Sequence, residues 1–207
     1  MAVIYTTLAK EAHAEQTIER SRFIAHAAPV KDREEAEAFI RRMREEYKDA
    51  STNAPAFVVG DKMQLQWGSD DGEPSGTAGA PMVQMLVKEG ITNAVIVVTR
   101  YFGGIKLGTG GLVRAFTGTA KMAVEAAGLH QVKDVCILSF DLAYHLLGKL
   151  QNAEKSMPFT IENIAYLDVL KLRISFEPED EGEVRALLSD LTGGRYTETE
   201  ELIRTQC

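Results

Sequence analysis

Two cysteines in 207 residues are too few for a disulfide framework, and Cys136 sits in an apolar run while Cys207 ends the sequence. They are also too few for a thiolate zinc site. The four histidines, His13, His26, His130 and His145, are scattered without ligand spacing, so no metal site is expected. No stretch approaches the roughly 18 apolar residues of a membrane span, and no membrane partner is expected. The opening MAVIYTTLAKEAHAE has no basic start followed by a long apolar run, so no secretion signal is read and a cytoplasmic location is expected. Standard nucleotide fingerprints are missing as well. Lys106 is followed by Leu107 where a P-loop needs Ser or Thr, and Val113 stands where a dinucleotide fingerprint begun at Gly108 needs glycine. Neither G-x-S-x-G nor H-E-x-x-H occurs, and no resident cofactor is expected.

Positive charge is short too. The formal charge is −7, with 15 Lys+Arg against 16 Asp+Glu in residues 1–130 and 8 against 14 in residues 131–207. A chain this acidic is a poor general polyanion binder, so any nucleic-acid contact must come from a local basic patch in the first half.

What is present is enough apolar material, 45% of the residues, to build a core in each of two α+β domains. The β-branched VIYTTLA and then Ser21 to Val30 read as strands. Asp32 starts a helix, with Glu35 three residues on as in a capping box. Ala36, Phe39, Ile40, Met43 and Tyr47 then fall on one face. Ala56 to Gly60 and Met63 to Trp67 read as a hairpin, and a short helix runs from Pro81 to Gly90. The AVIVV run within Thr92 to Thr99 fits a strand buried on both faces. A helix over Leu112–Ala127 places Leu112, Phe116, Ala120, Ala123 and Ala127 together, with Gly128 as its cap.

Gly128 to Lys133 reads as a linker between domains at 1–130 and 131–207. Beyond it come strand Val135–Leu142, a helix at Leu146, Leu147 and Leu150, and strands Phe159–Ala165 and Leu167–Phe176. A helix marked by Val184, Leu187, Leu188 and Leu191 and a last strand over Tyr196–Ile203 complete the run. The order βαββαβ is the ferredoxin-like pattern.

Two segments stand out chemically. The first, from Ser69 to Gly79, carries Asp70, Asp71 and Glu73, then Ser75, Gly76 and Thr77. Its carboxylates suit a hard cation or arginine partners, and equally a tight turn capping the next helix, which is the favoured reading. The second, from Thr99 to Arg114, holds Arg100, Tyr101, Phe102, Gly103, Gly104, Lys106, Gly108, Gly110, Gly111 and Arg114. Glycines ahead of a helix let backbone N–H groups approach an anion, Arg100, Lys106 and Arg114 add charge, and the two aromatics offer stacking surfaces.

SDDGEPSGTAG followed by VVTRYFGGIKLGTGGLVRA resembles the signature of the IMPACT family, as do SRFIA and the apolar helix after it. The resemblance covers essentially the whole chain. It implies an N-terminal domain like the second domain of ribosomal protein S5 and a ferredoxin-like C-terminal domain. It also carries the two segments over as the ligand-binding positions. Many members have A-T-H-N-C where this chain has Ala50-Ser51-Thr52-Asn53-Ala54, so a base and nucleophile at 52 and 54 are missing here.

The family's eukaryotic relatives regulate translation. The reading is therefore a non-catalytic RNA- or ribosome-associated binding protein involved in translation regulation. Two alternatives stay open. One is a protein-interaction regulator whose acidic C-terminal domain meets a protein partner. The other is a Mg-dependent enzyme acting on a phosphate-bearing ligand.

Overall fold

The computed structural model describes residues 3–196 and 198–206. The first strands are β1 (Tyr5–Leu8), β2 (Ala12–Ile18) and β3 (Ser21–Pro29), followed by α1 (Arg33–Glu46), β4 (Thr52–Val59) and β5 (Leu65–Gly68). Then come α2 (Gly79–Lys88), β6 (Ala94–Tyr101), α3 (Gly108–Ala127) and β7 (Leu129–Leu142). The chain ends with α4 (Leu147–Ala153), β8 (Phe159–Tyr166), β9 (Leu170–Phe176), α5 (Glu181–Thr192) and β10 (Glu198–Gln206). It is an α+β protein of two compact units, one spanning Ile4–Gln131 and one built from the chain beyond.

In the first unit the sheet order is β2-β3-β6-β4-β5, and every pairing is antiparallel. β6 explains the layering. Ala94, Ile96 and Val98 pack with Met82 and Leu86 of α2 and with Leu112 and Phe116 of α3. Val95 and Val97 point the other way, to Phe39, Ile40 and Met43 of α1. Alternating side chains of one apolar run thus feed two cores, as its unbroken hydrophobicity implied.

α1 begins where its sequence says it should. The Asp32 carboxylate accepts the Glu35 N–H at 2.9 Å, and the Glu35 carboxylate accepts the Lys31 N–H at 2.8 Å. These bonds satisfy two backbone donors at the helix entrance.

In the second unit the sheet order is β10-β7-β9-β8, again antiparallel, which is the ferredoxin-like arrangement. Val184 and Leu188 of α5 and Leu150 of α4 pack with Leu138, Leu172 and Ile174 of the sheet. No helix among the described residues is long and apolar enough to cross a membrane.

Several boundaries differ from expectation. The stretch from Gly128 to Lys133, read as a linker, is strand from Leu129 onward, and the boundary between units falls inside β7. β2 was not expected at all, because AHAEQTI alternates between small and polar residues and stays half-exposed. β4 starts at Thr52 rather than Ala56. Pro55 is tolerated because its carbonyl, and therefore its missing N–H, faces the side where β5 has ended at Gly68; the carbonyl accepts the Ser69 N–H at 3.0 Å. β9 starts at Leu170 rather than Leu167. The last strand, expected at Tyr196 to Ile203, runs over Glu198–Gln206, and Thr197 lies outside the described residues.

Candidate functional site

The first glycine-rich segment leaves β5 at Gly68 and enters α2 at Gly79. These two glycines touch, and a Cβ on Gly79 would lie 2.4 Å from the Ser69 backbone nitrogen. Only glycine lets the two ends of the loop close this tightly. Inside the loop Asp70 accepts backbone N–H groups from Gly76 at 2.7 Å, Ala78 at 2.9 Å and Gly79 at 3.0 Å. Burial raises the Asp70 pKa, but the N–H groups of Gly76, Ala78, Gly79 and Thr77 outweigh it and hold the carboxyl below its ordinary value. Asp70 therefore supplies the cap that Ala78, at the N-cap position of α2, has no side chain to give.

The other two carboxylates are also engaged. Asp71, at φ 47°, accepts the Asn53 N–H at 2.7 Å and pairs with Arg44 at 2.9 Å. Glu73 takes both oxygens to Arg100 Nη1, at 2.9 and 2.7 Å, and accepts the Thr52 hydroxyl at 2.9 Å. Thr77 donates its hydroxyl to the Pro74 carbonyl at 2.6 Å, while Ser75 and Gly76 are exposed. The capping reading of this segment accounts for Asp70. Asp71 and Glu73 hold arginines.

The Glu73–Arg100 pair is buried, with 7% of each side chain exposed. The Arg100 guanidinium lies 5.4 Å from the Phe23 ring centroid and 5.2 Å from that of Phe102. It forms the floor of the site, neutralised by Glu73, and adds no exposed charge. Of the three cations expected to act together, Lys106 and Arg114 are the exposed ones.

The second segment is fixed from below. Gly103 touches the β2–β3 turn, where a Cβ would fall 1.9 Å from the Arg20 carbonyl oxygen. That turn is itself strained, with Glu19 at φ 45° and Arg20 at φ 63°. The Ser21 hydroxyl accepts the Gly103 N–H at 3.2 Å, and the Ser51 hydroxyl accepts the Phe102 N–H at 3.0 Å. Tyr101 donates to Asp49 at 3.0 Å; burial first and this bond second raise its pKa. Phe102, with its backbone N–H held and the residue 48% exposed, stands out from the surface.

Gly104 and Gly108 both adopt positive φ, at 87° and 71°. The helix α3 begins at Gly108, four residues earlier than expected. Gly108, Gly110 and Gly111 are therefore part of its first turn. Its N-cap is Leu107, which offers no side-chain bond, and no acidic residue lies in the first turn. The first N–H groups of a 20-residue helix are left to solvent or a ligand. Arg114 Nη1 folds back over this turn, 3.6 Å from where a Cβ on Gly110 would sit.

The two segments meet. A cleft of about 370 Å³ is lined by Glu73 and Pro74 from the first and by Arg100, Phe102, Lys106 and Gly108 from the second. Leu107, Thr109 and Leu112 complete it, and sequence reasoning missed them along with Ser21 and Ser51. No periodicity marks these serines; each acts through one hydroxyl on a backbone group distant in sequence. Thr52 and Ala54, where the resemblance led to the expectation of histidine and cysteine, behave differently. Thr52 binds Glu73, while Ala54 is wholly buried, facing α2 and α3. A nucleophile at 54 would meet no substrate.

A second unit of ferredoxin-like topology, joined to a first unit that holds this glycine-rich cleft, defines a two-domain α+β class. The chain matches the Impact N-terminal domain over residues 19–124 and a domain of unknown function, DUF1949, over residues 140–195. It is 35% identical to the IMPACT family member YvyE of Bacillus subtilis, over 92% of this chain and 88% of that one. It is likewise 35% identical to the IMPACT family member YigZ of Escherichia coli, over 86% and 89%. The chain belongs to the IMPACT family. Protein IMPACT of Oryctolagus cuniculus aligns at 35% identity over 44% of this chain and 30% of its own. A crystal structure described as a hypothetical protein matches with a TM-score of 0.61 and 32% identity, covering 94% of this chain and 95% of that one.

Proposed function

We propose that this protein is a non-catalytic RNA- or ribosome-associated binding protein involved in the regulation of translation, with the cleft between Glu73 and Gly108 as its RNA site. The observation that carries the reading is the position of Phe102. Its ring rests on a neutralised guanidinium and is exposed beside Lys106 and the uncapped start of α3. A base stacks on the ring, and its phosphate meets Lys106 and the α3 N–H groups. The carboxylates nearby are held by protein donors, which supports binding over metal-assisted chemistry at this site. A cavity of about 550 Å³ in the second unit is walled by Glu177, Glu179 and Asp180, which makes it a poor phosphate site.

The test is sedimentation with ribosomes and with total RNA across a salt series. The variant is Lys106→Ala with Arg114→Ala, and Arg100 is left in place because it carries the floor. Each phosphate contact on a single strand contributes a slope of about −0.7 in log affinity against log salt, so the variant loses roughly 1.4 of that slope. Equal binding by both proteins at every salt sinks the reading.

A protein partner is favoured by one separate observation. Tyr144, Tyr166, Leu167 and Val169 of the second unit are all exposed, on a unit with a strongly acidic composition. Tyr166→Ser with Leu167→Ser abolishes capture of a basic protein partner if that surface is used, and leaves RNA sedimentation unchanged.

A further inference from the structure

The cleft at Phe102 does not end at Lys106. On the far side of Lys106 and Leu107 lies a second cavity of about 550 Å³ between β2 and α3, and both residues line both cavities. We infer that the two cavities form one groove for two successive nucleotides of single-stranded RNA, with the linking phosphate at Lys106 on the shared wall. This rests on the RNA reading above and extends it from one stacked base to a minimum ligand length.

Each cavity is of a size that holds a small organic ligand. The second has its own apolar floor, Ile18 and Ile105, the latter 36% exposed. It has its own cation in Arg114, and one carboxylate, Glu19, suited to accept a base N–H such as uracil N3–H.

Its helix wall is the telling part. Gly111, Arg114, Ala115 and Gly118 recur at spacings of three and four, on one face of α3. Gly118 sits within the helix, where glycine is less favourable than alanine. Packing does not demand it: a Cβ there would meet only Gln16 Nε2, at an ordinary 3.7 Å. The missing side chain leaves the second cavity open. A leucine at this position would stand in the space a second nucleotide needs, and it does not reach the first cavity, which Gly118 does not line.

The experiment is competition by 5′-phosphorylated oligouridylates of one, two and four nucleotides against a labelled octamer, at low salt. For the wild type, affinity rises about tenfold from one nucleotide to two, the scale of one stacked base. Gly118→Leu removes that step and keeps the mononucleotide affinity; Arg114→Gln lowers the step; Phe102→Ala weakens all lengths. Melting temperatures confirm that each variant folds, with Gly118→Ala as the smaller change should leucine fail. A wild-type step that survives in Gly118→Leu, or no step in the wild type, overturns the two-nucleotide groove and leaves the RNA reading standing. No competition at any length and no binding of the octamer overturns both.

Discussion

The two glycine-rich segments that form the cleft look alike in sequence and differ in where their polar groups are engaged. The first turns its polar groups inward. Asp70 caps α2, Asp71 holds Arg44 and Asn53, and Glu73 holds Arg100 and Thr52. The second, beyond the buried Arg100 and the bonded Tyr101, turns its groups outward. Phe102, Lys106 and Arg114 are exposed, and α3 begins without a cap. Charge and glycine content therefore do not separate a closed scaffold from an open surface. What separates them is whether each polar atom already has a protein partner.

The comparison predicts that the first segment fails in stability and the second in binding. The largest effect belongs to Glu73→Ala, which strands a buried guanidinium and costs about 3–5 kcal/mol in chemical denaturation. Replacing both partners, as Glu73→Leu with Arg100→Met, recovers most of that loss; a double variant as unstable as the single one breaks the account of this pair. Asp70→Ala follows, at roughly 2 kcal/mol for the lost cap and its charge-assisted bonds. The pH dependence of Asp70 has a definite sign. Its folded pKa lies below the unfolded value, so its contribution is present above the ordinary carboxylate range and is lost as pH falls through the folded value. Asp70→Asn therefore flattens the acid limb of stability against pH.

Gly103→Ala comes next, at about 1–3 kcal/mol, because its Cβ meets the Arg20 backbone and no flexible side chain can yield. The smallest stability change is expected for Lys106→Ala and Arg114→Ala, within about 0.5 kcal/mol of wild type. Their effect is read instead in the salt dependence of RNA binding. A large loss of stability in either would move it to the scaffold side of the comparison.

Local pattern made much of the fold legible. Ala36, Phe39, Ile40 and Met43 show the period of α1, AVIVV shows a strand buried twice, and the second unit follows its expected βαββαβ order. Elements whose identity depends on tertiary context were not legible. β2 is small and polar and exists because β3 offers it an edge. The first turn of α3 reads as loop because three glycines lower its intrinsic helix propensity. At the site, residues of both segments come to one cleft, and their division of labour was hidden. Arg100 reads as a free cation until Glu73, distant in sequence, is brought against it.

The bond from Gly103 N–H to the Ser21 hydroxyl joins positions 82 residues apart. Order of assembly follows from that separation. The loop bearing Phe102 keeps only its Ser51 anchor until β3 has paired with β6, a step slowed by the separation of the contacts along the chain. A chain in which that pairing has not formed carries every residue of the cleft without its full shape.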